Sequence, residues 1–271
     1  MKKPKVSVII TTKNEERVID NLLKTLKKQT YKPFEIILVD NNSTDKTKEI
    51  AKKYTKLVFN KGPERSLQRN FGVKKASGKY VLILDADMEL EPEVIEECVA
   101  EIESDREIKA VVIPEKSFGE GFWAKCKALE RSCYLGDELI EAARFFEKKT
   151  FLEFGGYDEK ITGPEDWDLP QRIKKKYKIG RIKSFIHHNE GKLSLLRTMR
   201  KKYYYAQKFA PYFKKHPQIA PLQANLLFRP AFFRNWRVLL RSPILTLGMF
   251  FMRACEMLAG GFGYLTKGIK K

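Results

Sequence analysis

The sequence predicts an α/β fold: a doubly wound, mostly parallel sheet flanked by helices, followed by a basic helical segment. Three observations predict it. Short β-branched runs alternate with stretches of helical period through the first two thirds of the chain. Several runs end on Thr or Asp, and open α/β sheets gather such strand ends at one ligand-binding rim. The basic charge is confined to the last third, so the chain is organised in two parts.

The elements follow in order. "KVSVIITT" is β-branched throughout and reads as a buried parallel strand. In "NEERVIDNLLKTLKKQ", Val18, Leu22, Leu23 and Leu26 fall at helical spacing. "FEIILVD" is a second strand, and "NNSTDKTKEIAKKY" opens with capping residues and continues as a helix. "KLVF" is a short third strand; "ERSLQRNFGVKKAS" is helical, with Gly78 as its expected stop. "KYVLILD" is the fourth strand, "EPEVIEECVAEIES" a helix with Pro92 near its first turn, and "IKAVVIPE" the fifth strand. Phe118 to Ala143 has no clear period. "ARFFEKKTFLEFGGYDE" reads as strand, short helix and Gly-Gly turn. "PEDWDLPQRIKKK" starts a helix with acid at its positive end, and "KIGRIKSFIHH" is expected as one last strand. These elements place a first domain at residues 1–190 and a basic helical region at 191–271.

Composition narrows the class. A chain of 271 residues, 43% hydrophobic, supports one large domain with or without an appendage. Gln171 to Lys271 carries 23 Lys/Arg and 2 Asp/Glu, whereas Met1 to Pro170 carries 30 and 32. Such a basic segment suits an anionic membrane, a phosphorylated substrate or nucleic acid. The four cysteines form no CxxC pair, which removes zinc and redox motifs and fits reduced thiols. "MKKPKVSVII" has too short an apolar run for a signal peptide and no small-residue cleavage site, so it reads as the first strand.

No GxGxxG follows the first strand and no GxxxxGK[ST] occurs, so a bound nucleotide's phosphates need another source of positive charge. A divalent metal on carboxylate oxygens is the obvious one, and Mg2+ or Mn2+ suits such hard ligands. Asp85 and Asp87 form a D-x-D pair at the end of the fourth strand. A second acidic pair, Glu165 and Asp166, follows a Gly-Pro turn at a helix start, where it serves as a cap or as a general base. Thr11, Thr12 and Asn14 follow the first strand and Asp40 ends the second, at the same expected rim.

"VSVIITTKNEE", "EIILVDNNSTDKT", "QRNFGVKKASGKYVLILDADMEL", "FGGYDE" and "GPEDWDL", in this order, resemble the family 2 glycosyltransferases of GT-A fold as far as about His188. The resemblance implies a nucleotide-sugar pocket lined by Thr11, Asn14 and Glu15, with Asp40 at the base and Arg69 as a basic donor contact. It implies Asp85 on the ribose or sugar side, Asp87 as metal ligand, and Asp166 as catalytic base beside Glu165. In "HHNEGK" it points to a histidine at the metal or diphosphate: His188 is favoured by the His-x-Glu-Gly pattern, with His187 the alternative. Two departures stand out: Met88 follows Asp87, and Asn41 follows Asp40, where many members carry a second acid. The implied reaction is an inverting, metal-dependent transfer of a hexose from a UDP- or GDP-linked sugar.

The acceptor is approached only through the tail. "LLRTMRKKYYYAQKFAPYFKKH" and "LLFRPAFFRNWRVLLRSP" interleave cations with aromatics, a composition suited to lipid headgroups. "SPILTLGMFFMRACEMLAGGFGYL" is strongly apolar, but Arg253 and Glu256 divide it into runs too short for a simple span. Interfacial, re-entrant and dimer-packed placements remain open, as does a helix hairpin packed on the domain; Arg253 and Glu256 are spaced to pair. The expectation is an enzyme at the cytoplasmic face of the cell membrane, acting on a lipid-linked or glycan acceptor, with homo-oligomerisation open. An alternative takes the phosphate of a polyprenyl phosphate as direct acceptor. The rivals are a nucleotidyltransferase, which lacks its Gly-rich signature here, and a non-catalytic nucleic-acid or membrane-binding scaffold. No nucleic-acid module is recognisable, so nucleic acid is not an expected partner.

Overall fold

The computed structural model describes residues 3–266. In chain order the elements are β1 (Val6–Thr12), α1 (Ile19–Lys27), β2 (Phe34–Asp40), α2 (Thr47–Lys52), β3 (Val58–Asn60), α3 (Arg65–Lys75), β4 (Tyr80–Asp85), β5 (Met88–Leu90), α4 (Val94–Ser104) and β6 (Ile108–Val112). Then come β7 (Glu115–Glu120), α5 (Gly121–Ser132), β8 (Ala143–Glu147), α6 (Lys148–Glu153), α7 (Glu165–Lys174), β9 (Lys178–Arg181) and β10 (Ile186–Lys192). The rest is helical: α8 (Leu195–Gln207), α9 (Ala210–Lys215), α10 (Ala220–Ala224), α11 (Pro230–Arg234), α12 (Trp236–Leu240) and α13 (Pro243–Leu265). The chain divides into two compact units. The first comprises Met1–Pro114, Ala142–Glu159 and Glu165–His187; the second, Glu115–Glu141, Lys160–Pro164 and His188–Lys271.

The first unit is built on a sheet of order β3-β2-β1-β4-β8-β6-β9. β3, β2, β1 and β4 run parallel, β8 runs antiparallel to β4 and β6, and β6 pairs in parallel with β9. β1 is buried along its whole length, as its continuous β-branched sequence predicts for a central strand covered on both faces. One face packs Val8, Ile10, Leu38 and Leu82 against α1 and α4; the other packs Ile9, Ile37 and Ile83 with Val73 of α3. Helix α1 covers the first face because Ile19, Leu22, Leu23 and Leu26 form one apolar stripe at helical spacing. Register fixes the rim: Thr12 pairs with Asp40, and Thr11 with Asp85.

Two sequence expectations change. "KIGRIKSFIHH" is two strands, β9 and β10, with a break at residues 182–185, and β9 belongs to the main sheet. Ser184 and Phe185 donate their N–H groups in that break to Glu97 and Glu91, at 3.0 and 2.8 Å, which local periodicity does not register. Gly78 is not the stop of α3, which ends at Lys75 with Ala76 extended. It lies against β1, where an added Cβ would come within 2.7 Å of the Lys5 carbonyl oxygen. Its N–H donates to Ser7 Oγ at 2.9 Å.

The second unit resolves the segment that lacked a period. β7 and α5 fill most of it, and Cys126, Cys133, Tyr134, Phe232, Leu239, Met249 and Met252 form a core from α5, α11, α12 and α13. The four cysteines are free thiols, three of them buried. Arg253 and Glu256 pair as their spacing predicted, and Arg253 Nη1 also reaches Glu130 of α5 at 3.2 Å. Instead of two short apolar runs, α13 is one continuous helix of 23 residues, long and apolar enough to cross a membrane by length and composition.

Candidate active site

The rim of the first unit is assembled from loops that hold one another. Thr12 Oγ1 and Ser43 Oγ donate to Asp40 Oδ2 at 2.8 and 2.6 Å, and the Ser43 N–H donates to Asp40 Oδ1 at 2.7 Å. Asp40 is completely buried, so these donors offset the desolvation of its charge. Asn14 adopts φ +57°, a left-handed conformation its short polar side chain tolerates. Its Oδ1 accepts from the Thr44 N–H at 2.9 Å, and its own N–H donates to Ser43 Oγ at 2.7 Å. The Glu15 N–H donates to Thr47 Oγ1 at 2.8 Å. The loops after β1 and β2 are thereby fastened together beside the strand ends.

Arg69, on α3, is the centre of the charged cluster. Its guanidinium is fully buried and donates from Nη2 to Asp85 Oδ1 at 2.8 Å and from Nη1 to Asp166 Oδ1 at 2.6 Å. Glu165 Oε1 lies 3.6 Å from Nη1 and 3.0 Å from Arg65 Nη2, and the Tyr157 ring lies under the guanidinium at 5.2 Å. Arg144 Nη1 stands 3.7 Å from Asp85 Oδ2, and Thr11 Oγ1 donates to Asp85 Oδ1 at 3.5 Å. Burial alone would raise the Asp85 carboxyl, but Arg69, Arg144 and Arg65 hold it well below the usual carboxylate range. Burial would likewise lower Arg69, yet Asp166, Asp85, Tyr157 and Glu165 together keep it firmly protonated. The two members of the second acidic pair differ: the Glu165 side chain is 1% exposed and Asp166 is 24% exposed. Glu165 is a buried counter-ion, and Asp166 is the one that reaches the surface of the rim.

The first unit thus brings together Thr11, Asp40, Arg69, Asp85, Glu165 and Asp166, with Asn14 and Glu15 in the adjoining loops. Asp87 lies in the turn between β4 and β5. His187 belongs to the same unit, with Nε2 3.1 Å from Glu91 Oε1; His188 belongs to the second, with Nδ1 3.5 Å from Glu115 Oε2. Among the described residues no group of three or more His, Cys, Asp or Glu is gathered to hold a metal. Asp85 pairs with guanidinium groups, and the Asp87 carboxylate is of the hard oxygen type that suits a divalent ion.

Several supporting residues were not singled out by sequence. Asn70 exchanges two hydrogen bonds with Tyr157, its Nδ2 donating to the carbonyl at 2.8 Å and its Oδ1 accepting from the N–H at 2.9 Å. Arg172 donates to the carbonyls of Phe154 and Gly156 while paired with Asp168 at 2.8 Å. The "FGGYDE" turn is therefore a bracket that carries Tyr157 to Arg69. Its signal was the proximity of Asn70 to Arg69 in "QRN", but the partners lie 87 residues away.

Known proteins agree with this architecture. The pattern of glycosyl transferase family 2 matches residues 7–215. An uncharacterized glycosyltransferase of Methanocaldococcus jannaschii is 30% identical over 239 residues, covering 80% of this chain and 82% of that protein. A GalNAc(5)-diNAcBac-PP-undecaprenol beta-1,3-glucosyltransferase of Campylobacter jejuni is 34% identical over 97 residues, covering 32% of this chain and 31% of its own. Among solved structures, a mannosyltransferase from Pyrobaculum calidifontis, in complex with GDP-Man and Mn2+, superposes with a TM-score of 0.69 at 19% identity, over 100% of this chain and 89% of that one. The chain belongs to glycosyltransferase family 2, and its fold is that of the GT-A glycosyltransferases.

Proposed function

We propose that this glycosyltransferase moves a hexose, with inversion, from a UDP- or GDP-linked sugar to a lipid-linked or glycan acceptor at the cytoplasmic face of the membrane. The observation that carries this reading is the Arg69 bridge, which ties Asp85 at the end of β4 to Asp166 at the start of α7. A donor-side acid and a candidate base are thereby held at one rim by a single rigid fork. Asp166 Oδ1 is occupied by Arg69, so Oδ2 is the oxygen that receives the acceptor's hydroxyl proton. As that hydroxyl oxygen bonds to the anomeric carbon, the bond from that carbon to the diphosphate breaks and the diphosphate leaves with the electron pair. Arg69 orients the base, and Asp87 would hold Mg2+ or Mn2+. When bound, the ion supplies positive charge against the departing diphosphate. Relatives support these choices: one neighbour is solved with GDP-Man and Mn2+, and one relative is named for an undecaprenol-linked acceptor.

The test is a screen of UDP- and GDP-sugars for binding and turnover with Mg2+ or Mn2+, alongside Asp87→Ala and Asp166→Asn. One donor should bind in a metal-dependent way that Asp87→Ala abolishes, and Asp166→Asn should keep donor binding while losing transfer to a hydroxyl acceptor. Full turnover by Asp166→Asn on a polyprenyl phosphate would select direct transfer to a lipid phosphate instead. Absence of binding to any donor by the folded protein would overturn the reading.

A further inference from the structure

We propose that α13 is an in-plane membrane anchor, lying along the bilayer surface with one apolar stripe in the lipid and its opposite face locked to the second unit. The inference deepens the membrane reading above and rests on it.

The stripe is Ile244, Leu247, Phe251, Leu258, Phe262 and Leu265, each 57–79% exposed. At 3.6 residues per turn these positions fall within roughly one sixth of the helix circumference. The buried positions of the helix, Gly248, Met249, Met252, Arg253, Glu256 and Gly263, turn away from that stripe. Close packing fixes the buried face. A Cβ on Gly263 would come within 2.3 Å of the Tyr203 carbonyl oxygen of α8, and one on Gly248 within 2.4 Å of the Phe122 ring of α5. Arg253, paired with Glu256 on its own helix, also donates to Glu130 of α5, which accepts in addition from Lys127 at 2.9 Å and from the Tyr134 hydroxyl at 2.8 Å.

A helix of 23 residues is roughly 35 Å long and could cross a bilayer by itself. It is not by itself. Alongside it runs α8, whose Arg197, Arg200 and Lys201 are exposed. Insertion of α13 across the hydrocarbon would carry those cations inward, where each is costly. Lying flat, the same cations sit at headgroup depth, where anionic lipid attracts them. The adjoining α12 repeats the design: Trp236 and Leu240 are exposed beside exposed Arg237 and Arg241, and the Arg237 guanidinium lies 5.4 Å from the Trp236 ring. From His188 onward the chain carries 16 Lys/Arg against 2 Asp/Glu, a balance that selects an anionic bilayer as the occupant of the stripe.

Flotation of the full chain with phosphatidylcholine vesicles, with and without phosphatidylglycerol, tests binding. Lipids brominated near the headgroup or near the chain end test depth, read as the added quenching in Ile244→Trp, Leu258→Trp and Leu265→Trp. Binding should require the anionic lipid, and all three positions should be quenched alike, more by the shallow label. Phe251→Glu with Leu258→Glu should weaken vesicle binding at least tenfold with donor hydrolysis and melting temperature unchanged; if that pair misfolds, Leu247→Gln should lower binding in the same direction. Deep quenching at position 258 with shallow quenching at both ends would show a spanning helix, overturning the in-plane placement while leaving the membrane reading intact. A folded protein that binds neither vesicle would overturn both and leave glycosyl transfer by the first unit standing. A lipid-independent dimer that the stripe variant dissociates, without vesicle binding, would make the stripe a self-association face and overturn the proposal.

Discussion

Each of the two units buries an arginine among carboxylates, and the two clusters are built differently. Arg69 in the first unit is inaccessible, but two of its partners, Asp85 and Asp166, keep part of their surface open. Arg253 in the second unit is inaccessible and so are Glu130 and Glu256. In the first cluster the arginine fixes acids that remain open to solvent; in the second, whose carboxylates are sealed, it holds helices together. The surfaces divide the same way. Of twenty exposed large hydrophobic side chains among the described residues, nineteen lie in the second unit and one, Leu152, in the first. Solvent-reaching carboxylates paired with a buried arginine mark the rim of one unit, and exposed apolar surface marks the other.

The comparison predicts effects of decreasing size. Asp166→Asn should lower transfer roughly 10²- to 10⁴-fold, the usual contribution of a general base. Its thermal melt should match the parent, because Asp166 is a partly open partner of Arg69; a large drop in stability would place it with the sealed cluster instead.

The two arginines should separate in denaturant titrations. Arg253→Met strands buried Glu256 and weakens the hold on Glu130, with an expected loss of about 3–5 kcal/mol. Arg69→Met should cost less, about 2 kcal/mol, because Asp85 and Asp166 can be rehydrated. Arg253→Met combined with Glu256→Leu should recover much of the first loss, since Lys127 and Tyr134 still satisfy Glu130. Equal losses at the two arginines would erase the distinction between them.

The smallest effect lies at the opposite edge of the first unit. Burial would raise the Glu35 carboxyl, but hydrogen bonds from Lys5, Ser7 and Ser77 bring it down to about 2 from 4.5. Since the folded value is the lower one, its stabilisation is present above pH 4.5 and is lost as pH falls toward 2. Glu35→Gln should lower stability at neutral pH by about 1–2 kcal/mol, less than the full shift implies because the group is partly solvated, and should flatten the loss between pH 5 and roughly pH 2. An unchanged pH profile would remove Glu35 from the acid response.

Much of the fold was legible because its cause is local. A β-branched run such as Val6–Thr12 can be recognised without knowing its neighbours, and so can the apolar spacing of α1. Strand ends announce the rim, so the sequence alone places Thr11, Asp40 and Asp85 on it, and the register of β1 with β2 and β4 does the same. The sequence also held the ordered motifs that mark the family, the pairing of Arg253 with Glu256 three residues on, and the concentration of positive charge after Gln171. Tertiary structure alone decided the rest. Arg69 and Asp166 are 97 residues apart, and Arg253 and Glu130 are 123 apart. No local period records such partners, because they are chosen by which helices the sheet and the second core bring together. Nor does composition reveal which side of an apolar helix faces outward: α13 is apolar nearly all round, and its exposed stripe exists because Gly248, Gly263 and a buried ion pair commit the other side to α5 and α8.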